Sequence, residues 1–142
     1  MMYTPGDHVL LIHNNATVLE MLASLLAEEG YQVSTSGYTA DLASTLRATS
    51  PNLVLLDHSP TCEESCVDSL QQMVLMRELE GVHVLVCSSL PRRVSELTAG
   101  LRYLPVNVLA KPFDIPSLLA QVEGLLVAPP TNSEPQRVQT YH

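Results

Sequence analysis

Five short apolar runs, separated by longer amphipathic segments, limit what this sequence can fold into. The runs are apolar at nearly every position, which is typical of strands buried on both faces of a sheet. The segments between them carry leucine and valine at helical spacing. We predict strands near residues 8–12, 31–36, 53–57, 82–87 and 106–110, and helices near residues 17–29, 41–48, 67–79, 91–100 and 115–127.

This alternation of strand and helix predicts an α/β fold with a doubly wound parallel sheet. Parallel neighbours require crossover connections, and the crossing helices cover both faces of the sheet. Right-handed crossovers leave few possible topologies. We expect one folded domain over residues 1–127, followed by a disordered, proline-rich polar tail over residues 128–142.

Charge and composition exclude several classes of function. The chain has 142 residues, of which 46% are hydrophobic, enough for one domain with a core. Its formal net charge of −8 disfavours direct binding to nucleic acid. No apolar run reaches the ~18 residues that a membrane span needs, and the first residues do not resemble a signal peptide. We therefore expect a cytoplasmic protein that contacts neither nucleic acid nor a membrane.

Polar residues end or follow four of the five predicted strands. His13 and Asn14 follow the first strand, Asp57 ends the third, Ser88 follows the fourth, and Lys111 follows the fifth. Ligands of open α/β sheets bind outside the carboxyl ends of the strands, near the point where the strand order reverses. The functional site is therefore predicted at this edge of the sheet.

These residues carry a resemblance to a known family. Residues 51–57, Pro-Asn-Leu-Val-Leu-Leu-Asp, resemble the third strand of the receiver domains of response regulators, and Lys111-Pro112-Phe113 resembles their Lys-Pro motif. Together with Ser88, in this order and spacing, the motifs make residues 8–127 similar to the phosphoacceptor module of two-component signalling. The resemblance implies a flavodoxin-like, five-stranded sheet of order 2-1-3-4-5 with five helices.

The resemblance also implies roles for individual residues. Asp57 stands at the phosphoacceptor position, and Ser88 and Lys111 stand at the two positions that contact the phosphoryl group. In this family the bond before the proline of the Lys-Pro motif is often cis. The face formed by the fourth helix, the last strand and the last helix is the usual output surface, which here means about residues 91–100, 106–110 and 115–127.

The sequence departs from the family at the metal site. His13 and Asn14 occupy the positions of the acidic pair that holds Mg²⁺, and Val108 replaces the usual switch aromatic. Mg²⁺ is usually held by carboxylates together with phosphate, and here the charges of Asp57 and Lys111 cancel. We expect weak or absent Mg²⁺ binding, no cofactor, slow or no phosphorylation of Asp57, and a direct pair between Lys111 and Asp57.

The main hypothesis is an atypical receiver that binds a protein partner, such as a histidine kinase or another signalling protein, without a phosphorylation input. One alternative is a working phosphoacceptor that a histidine kinase phosphorylates on Asp57. Another is a thiol or small-ligand sensor that uses the cysteines, Cys62, Cys66 and Cys87, or the neutral pocket at the strand ends. An enzyme is not expected, because no nucleophile, base and orienting group form a recognisable set. His58 is expected on a surface loop, and Cys87 as a small apolar residue in a buried strand.

Overall fold

Five parallel strands form one sheet in the order β2-β1-β3-β4-β5. The computed structural model describes residues 7–38, 41–76, 81–99 and 106–127. The strands are β1 (His8–Ile12), β2 (Gln32–Ser36), β3 (Leu53–His58), β4 (His83–Ser88) and β5 (Val106–Ala110). Every pair of neighbours is parallel, so the predicted doubly wound sheet and its strand order are confirmed.

In the described part of the chain, five helices connect or follow the strands. They are α1 (Ala16–Glu28), α2 (Leu42–Thr49), α3 (Glu63–Val74), α4 (Pro91–Thr98) and α5 (Ile115–Val127), with a 3-10 turn at Pro60–Cys62. The predicted bounds of α3 were wrong, because this helix begins four residues before position 67 and ends at Val74. Glu63 and Glu64 occupy its first turn, where negative charge favours a helix N-terminus. Residues 77–80, 100–105 and the predicted tail at 128–142 lie outside the described part of the chain.

Short polar residues cap helices α1 and α5 at their N-termini. The Asn15 side chain accepts a hydrogen bond from the Val18 amide at 3.1 Å at the start of α1. At the start of α5 the Asp114 side chain accepts from the Ser117 amide at 2.7 Å. Such caps satisfy amide groups that have no partner within the helix.

The core lies on both faces of the sheet. Successive residues of a strand point to opposite faces, so each inner strand supplies both apolar layers. The first layer packs against α2, α3 and α4, through residues that include Leu42, Leu70 and Val94. The second packs against α1 and α5, through residues that include Leu26 and Leu118.

The strand order reverses between β1 and β3. From β1 the chain runs outward to β2 and then returns to β3 on the other side. The carboxyl ends of β1 and β3 therefore flank the crevice where such sheets bind ligands. Among the described residues, no helix combines the length and the apolar character needed to cross a membrane.

Candidate functional site

Asp57 is the central residue of the predicted site. It lies one residue before the end of β3 and is 5% exposed. Its Oδ1 atom accepts a hydrogen bond from the Lys111 ammonium and lies 3.3 Å from His13 Nε2. The structure thus joins the carboxyl ends of β1, β3 and β5 at one oxygen atom, and the pair predicted between Lys111 and Asp57 is present.

The hydrogen bonds of His13 assign its tautomer. The Asn15 amide donates to His13 Nδ1 at 2.8 Å, so in the neutral imidazole the proton is on Nε2, which faces Asp57. Burial lowers the pKa of His13 below its ordinary value of 6.5, and Lys111 lowers it further against the opposing effect of Asp57. His13 is therefore neutral near neutral pH, and its Nε2–H lies beside the Asp57 carboxylate.

Lys111 is held by the main chain as well as by Asp57. Its amide donates to the Ser88 carbonyl at 2.7 Å, and its ammonium lies 3.4 Å from the His58 carbonyl oxygen. The peptide bond between Lys111 and Pro112 is cis, as the resemblance implied. The ammonium is therefore directed to the end of β3 from a fixed backbone position.

The other side of Asp57 is closed by Cys62 and Tyr38, which the sequence did not place at this site. Cys62 Sγ lies 3.7 Å from Asp57 Oδ2, and the Tyr38 hydroxyl donates to the Asp57 carbonyl. Burial raises the pKa of the Tyr38 hydroxyl above its ordinary value, so this group stays protonated and able to donate. Tyr38 follows β2, and only the return of the chain to β3 brings it to the site.

Ser88 forms its hydrogen bonds away from Asp57. It is fully buried, and its hydroxyl lies 2.7 Å from His58 Nδ1 while accepting from the Leu90 amide at 2.8 Å. In the strand register Ser88 pairs with His58, and Asp57 pairs with Cys87. The predicted residues Ser88 and Asp57 therefore occupy the same edge of the sheet but have different partners.

His58 is buried, and its expected position on a surface loop is wrong. Strand β3 continues one residue beyond Asp57, so His58 is its last residue and is 0% exposed. Its Nε2 atom lies 2.9 Å from Glu63 Oε1, and Glu63 also pairs with Arg93 at 2.9 Å. The hydrogen bond from Arg93, followed by that from His58, lowers the pKa of Glu63 to about 2.

A hydroxyl, an imidazole and a carboxylate are hydrogen-bonded one to the next, from Ser88 through His58 to Glu63. The sequence did not indicate this set of groups. Nucleophilic catalysis uses such a set. Here the Ser88 hydroxyl has no exposed surface and accepts an amide hydrogen bond. No substrate can reach the hydroxyl in this arrangement. The three side chains therefore have a structural role, in which they connect β4, β3 and α3.

The groups around Asp57 do not fit Mg²⁺, which requires oxygen ligands in octahedral geometry. The side chains next to its carboxylate are an ammonium, an imidazole and a thiol. Asn14 is exposed beyond the end of β1. Within residues 7–38, 41–76, 81–99 and 106–127, no three His, Cys, Asp or Glu side chains are grouped to hold a metal ion.

The cysteines are buried and free. Burial raises the pKa of Cys66 to about 11 and that of Cys87 to about 12. Cys87 lies in β4 as predicted. These two thiols are therefore protonated near neutral pH, and a protonated thiol is a weak nucleophile.

Comparison with known proteins identifies the fold. No protein-family model matches the sequence, and no curated protein matches it. The chemotaxis protein CheY4 of Vibrio cholerae superposes with a TM-score of 0.73 and 15% identity, covering 85% of this chain and 99% of its own. The receiver domain of a Syntrophus aciditrophicus signal transduction histidine kinase gives 0.70 and 21%, covering 96% and 98%.

A third similar structure was determined with a phosphoryl mimic. It is the Thermotoga maritima response regulator TrrA in complex with Mg²⁺ and beryllofluoride, with a TM-score of 0.67 and 19% identity, covering 84% of this chain and 99% of its own. At such identities the similarity establishes the fold. The chain has the CheY-like, flavodoxin-like fold of response-regulator receiver domains.

Proposed function

We propose that this chain is a receiver-like protein-interaction module of signal transduction that docks on its partner without phosphorylation of Asp57. The observation that carries this proposal is the environment of Asp57 Oδ1, which accepts a hydrogen bond from the Lys111 ammonium and lies 3.3 Å from His13 Nε2. Both neighbours come from the protein itself, so Lys111 and His13 lie beside the carboxylate before any ligand arrives.

The charges of the site support weak or absent Mg²⁺ binding. Asp57 and Lys111 cancel, and His13 is neutral at a position where the family has a carboxylate. A dication that approached Asp57 Oδ1 would have to displace the Lys111 ammonium from it and would meet the His13 ring 3.3 Å from the same atom. One carboxylate without further anionic oxygens is a poor site for a hard cation, and we propose that the domain needs no cofactor.

Phosphoryl transfer to Asp57 would lack a bound metal ion and an available Ser88 hydroxyl. The reaction depends on positioning and on neutralising the charge of the transferring oxygens, a task that Lys111 would perform without metal. The Ser88 hydroxyl, at the second phosphate-contact position, is held by His58 and the Leu90 amide. We therefore propose that phosphorylation of Asp57 is slow or does not occur.

The partner is proposed to be a protein, such as a histidine kinase or another signalling protein. The docking face would be formed by α4, β5 and α5, and an apolar hollow of about 450 Å³ lies on it between β5 and α5. The residues lining the hollow are Leu109, Ser117, Ala120, Gln121, Gly124 and Leu125. With a net charge of −8, direct nucleic-acid binding is disfavoured, and we propose a cytoplasmic protein that is not an enzyme.

An amide NMR titration tests the proposal, with Mg²⁺ and then beryllofluoride added to the wild type and to Asp57→Ala. We expect the amide signals of Asn14, Asp57, Ser88 and Lys111 to stay in place at millimolar Mg²⁺, and beryllofluoride to add no change. Signals that shift in the wild type but not in Asp57→Ala would show that Asp57 is a working acceptor, and the proposal would be wrong.

A matched pair of variants tests the physical reason. The double variant His13→Asp, Asn14→Asp restores two carboxylates, and we expect it to bind Mg²⁺ at millimolar concentration because the site regains negative charge. The control His13→Asn removes the imidazole without adding charge, and it should bind no better than the wild type. Equal binding by the double variant and the control would refute the role given to the missing carboxylates.

A working phosphoacceptor is the second candidate function. Asp57 and Lys111 are both retained and in contact within a CheY-like fold, and this observation favours it. The same titration separates the two functions. A sensor based on Cys66 or Cys87 has less support, because both thiols are buried and have raised pKa values.

A further inference from the structure

Four polar side chains join the end of β4 to the surface of α4. Ser88 bonds His58 at 2.7 Å, His58 bonds Glu63 at 2.9 Å, and Glu63 bonds Arg93 at 2.9 and 3.3 Å. We name this set, Ser88-His58-Glu63-Arg93, the β4–α4 relay. Its members come from β4, β3, α3 and α4, so it crosses four elements of the fold.

The relay runs from the interior to solvent. Ser88 and His58 are 0% exposed, whereas the side chains of Glu63 and Arg93 are 26% and 49% exposed. Buried hydrogen bonds are stronger than exposed ones, and a buried group that loses its partner is destabilised. Breaking the pair between Glu63 and Arg93 therefore affects the buried side chains of His58 and Ser88. No water is available there to replace a lost hydrogen-bond partner.

The chemistry of each group sets the direction of the hydrogen bonds. The Glu63 carboxylate can only accept, so the His58 Nε2–H donates to it. In the neutral imidazole Nδ1 is then an acceptor, and it receives the Ser88 hydroxyl proton. The Ser88 oxygen in turn accepts from the Leu90 amide. A change at one residue of the relay therefore alters whether its neighbour can donate or accept a hydrogen bond.

The relay holds the first turn of α4 at two points. Leu90, the N-cap position, is attached through its amide to Ser88, and Arg93, in the first turn, is attached through its side chain to Glu63. Helix α4 has eight residues, of which Val94 is the buried one. Apolar packing anchors this helix weakly, so the two polar attachments carry much of its positioning.

We infer that the β4–α4 relay couples the exposed Arg93 to the buried Ser88 hydroxyl, so that the surface of α4 and the end of β4 change together. Coupling between two sites is reciprocal. A partner that draws Arg93 away from Glu63 therefore loosens the hydroxyl and the Leu90 amide, and a rotation of Ser88 loosens the start of α4. The inference holds whether or not Asp57 accepts a phosphoryl group.

Two pairs of neighbouring residues provide the test. Arg93→Ala breaks the exposed end of the relay, and Arg92→Ala removes the arginine one position earlier, which is also exposed. Glu63→Ala and Glu64→Ala form the second pair, both in the first turn of α3. The measurements are the hydrogen-exchange rate of the Leu90 amide and the ¹⁵N chemical shifts of the His58 ring.

We expect Arg93→Ala and Glu63→Ala to raise the exchange rate of the Leu90 amide roughly three- to tenfold, as the weakening of one hydrogen bond would, and to shift both ring nitrogens of His58. The double variant of Arg93 and Glu63 should change the rate no more than Glu63→Ala alone, because both act through one relay. Arg92→Ala and Glu64→Ala should leave both measurements near their wild-type values.

The inference is overturned if Arg93→Ala affects the Leu90 amide and the His58 ring no more than Arg92→Ala does. The substitutions at Arg93 and Arg92 are on the surface, so both variants should keep the dispersed amide spectrum of the wild type, and that spectrum is recorded first. A response to beryllofluoride would overturn the proposed function but leave this result unchanged, so the two can fail separately.

Discussion

His13 places a neutral imidazole beside the carboxylate of Asp57. Its Nδ1 atom accepts from the Asn15 amide and its Nε2 atom faces Asp57. A proton added to Nδ1 would face the N–H of the Asn15 amide, which now donates to that atom. His13, at a position where the resemblance implies a metal ligand, is thus neutral chiefly because of its burial, and its Nε2 atom faces the Asp57 carboxylate.

This arrangement predicts a pH dependence for folding. The pKa of His13 is lower in the folded chain than its ordinary 6.5, so the unfolded chain binds more protons there at mildly acid pH. Its contribution to stability is present above pH 6.5 and is lost as the pH falls through the folded pKa. We expect His13→Asn to reduce the loss of stability between about pH 7 and about pH 5.

Urea unfolding at several pH values measures this effect, together with an NMR titration of the His13 ring. The ring should titrate below its ordinary range. If wild type and His13→Asn lose stability with the same slope over this interval, His13 is not the group responsible.

Single residues also show how far the sequence could predict the site. Asp57, Lys111 and His13 were found because strand ends of a parallel sheet meet at one edge. His58 was misplaced because the predicted β3 ended one residue too early, at Asp57. Successive residues of a strand point to opposite faces of the sheet, so His58 lies on the face opposite to Asp57. A pattern that could have located it is present, since Val54 and Leu56 precede His58 on the face that packs against α3 and α4.

At the scale of elements, two glycines have opposite structural roles. Gly30 follows α1 with a φ of 99°, a left-handed conformation that side chains with a Cβ rarely adopt. Gly124 lies inside α5, and a Cβ added there meets no atom within 4 Å. One glycine ends a helix, and the other weakens one.

Alanine at these two positions should therefore change stability in opposite directions. We expect Gly124→Ala to raise the free energy of unfolding by about 0.5–1 kcal/mol through helix propensity. Gly30→Ala should lower it by about 1 kcal/mol or more, because alanine is strained at that φ. Chemical denaturation of both variants provides the measurement, and a loss of stability in Gly124→Ala would contradict the open space seen beside its Cα.

The elements were predicted best where apolar spacing is regular. Strand β5 and helix α5 have the bounds that the sequence indicated. Helix α3 was predicted too late because residues 58–65 are polar and resemble a loop. The 3-10 turn at Pro60–Cys62 and the acidic first turn of the helix occupy that stretch, and local polarity does not distinguish a helix start from a loop.

At the scale of the whole molecule, two apolar layers share one sheet. Leu70 of α3 lies in the layer with α2 and α4, and Leu118 of α5 lies in the layer with α1. Both side chains are almost fully buried. Strands β1, β3 and β4 supply residues to both layers, so neither layer can come apart without the other.

Cavities on either face should therefore destabilise one common unfolding transition. We expect Leu70→Ala and Leu118→Ala each to lower the free energy of unfolding by about 2–5 kcal/mol. Far-ultraviolet circular dichroism and tyrosine fluorescence should report coincident urea transitions in each variant. Separate transitions for the two probes would show that the two faces unfold independently.

The two side chains beside Asp57 Oδ1, Lys111 and His13, also bear on how a cell could control such a module. A switch operated by phosphorylation needs a phosphorylated conformation whose free energy is close to that of the unmodified protein. The contacts that Asp57 already makes with Lys111 and His13 disfavour such a conformation. Under the proposed function, the fraction of partner occupied then follows mass action, about half at a concentration equal to Kd and about nine-tenths at nine times Kd. Synthesis and degradation would set the output, and the response would follow the abundance of the protein on the timescale of its turnover.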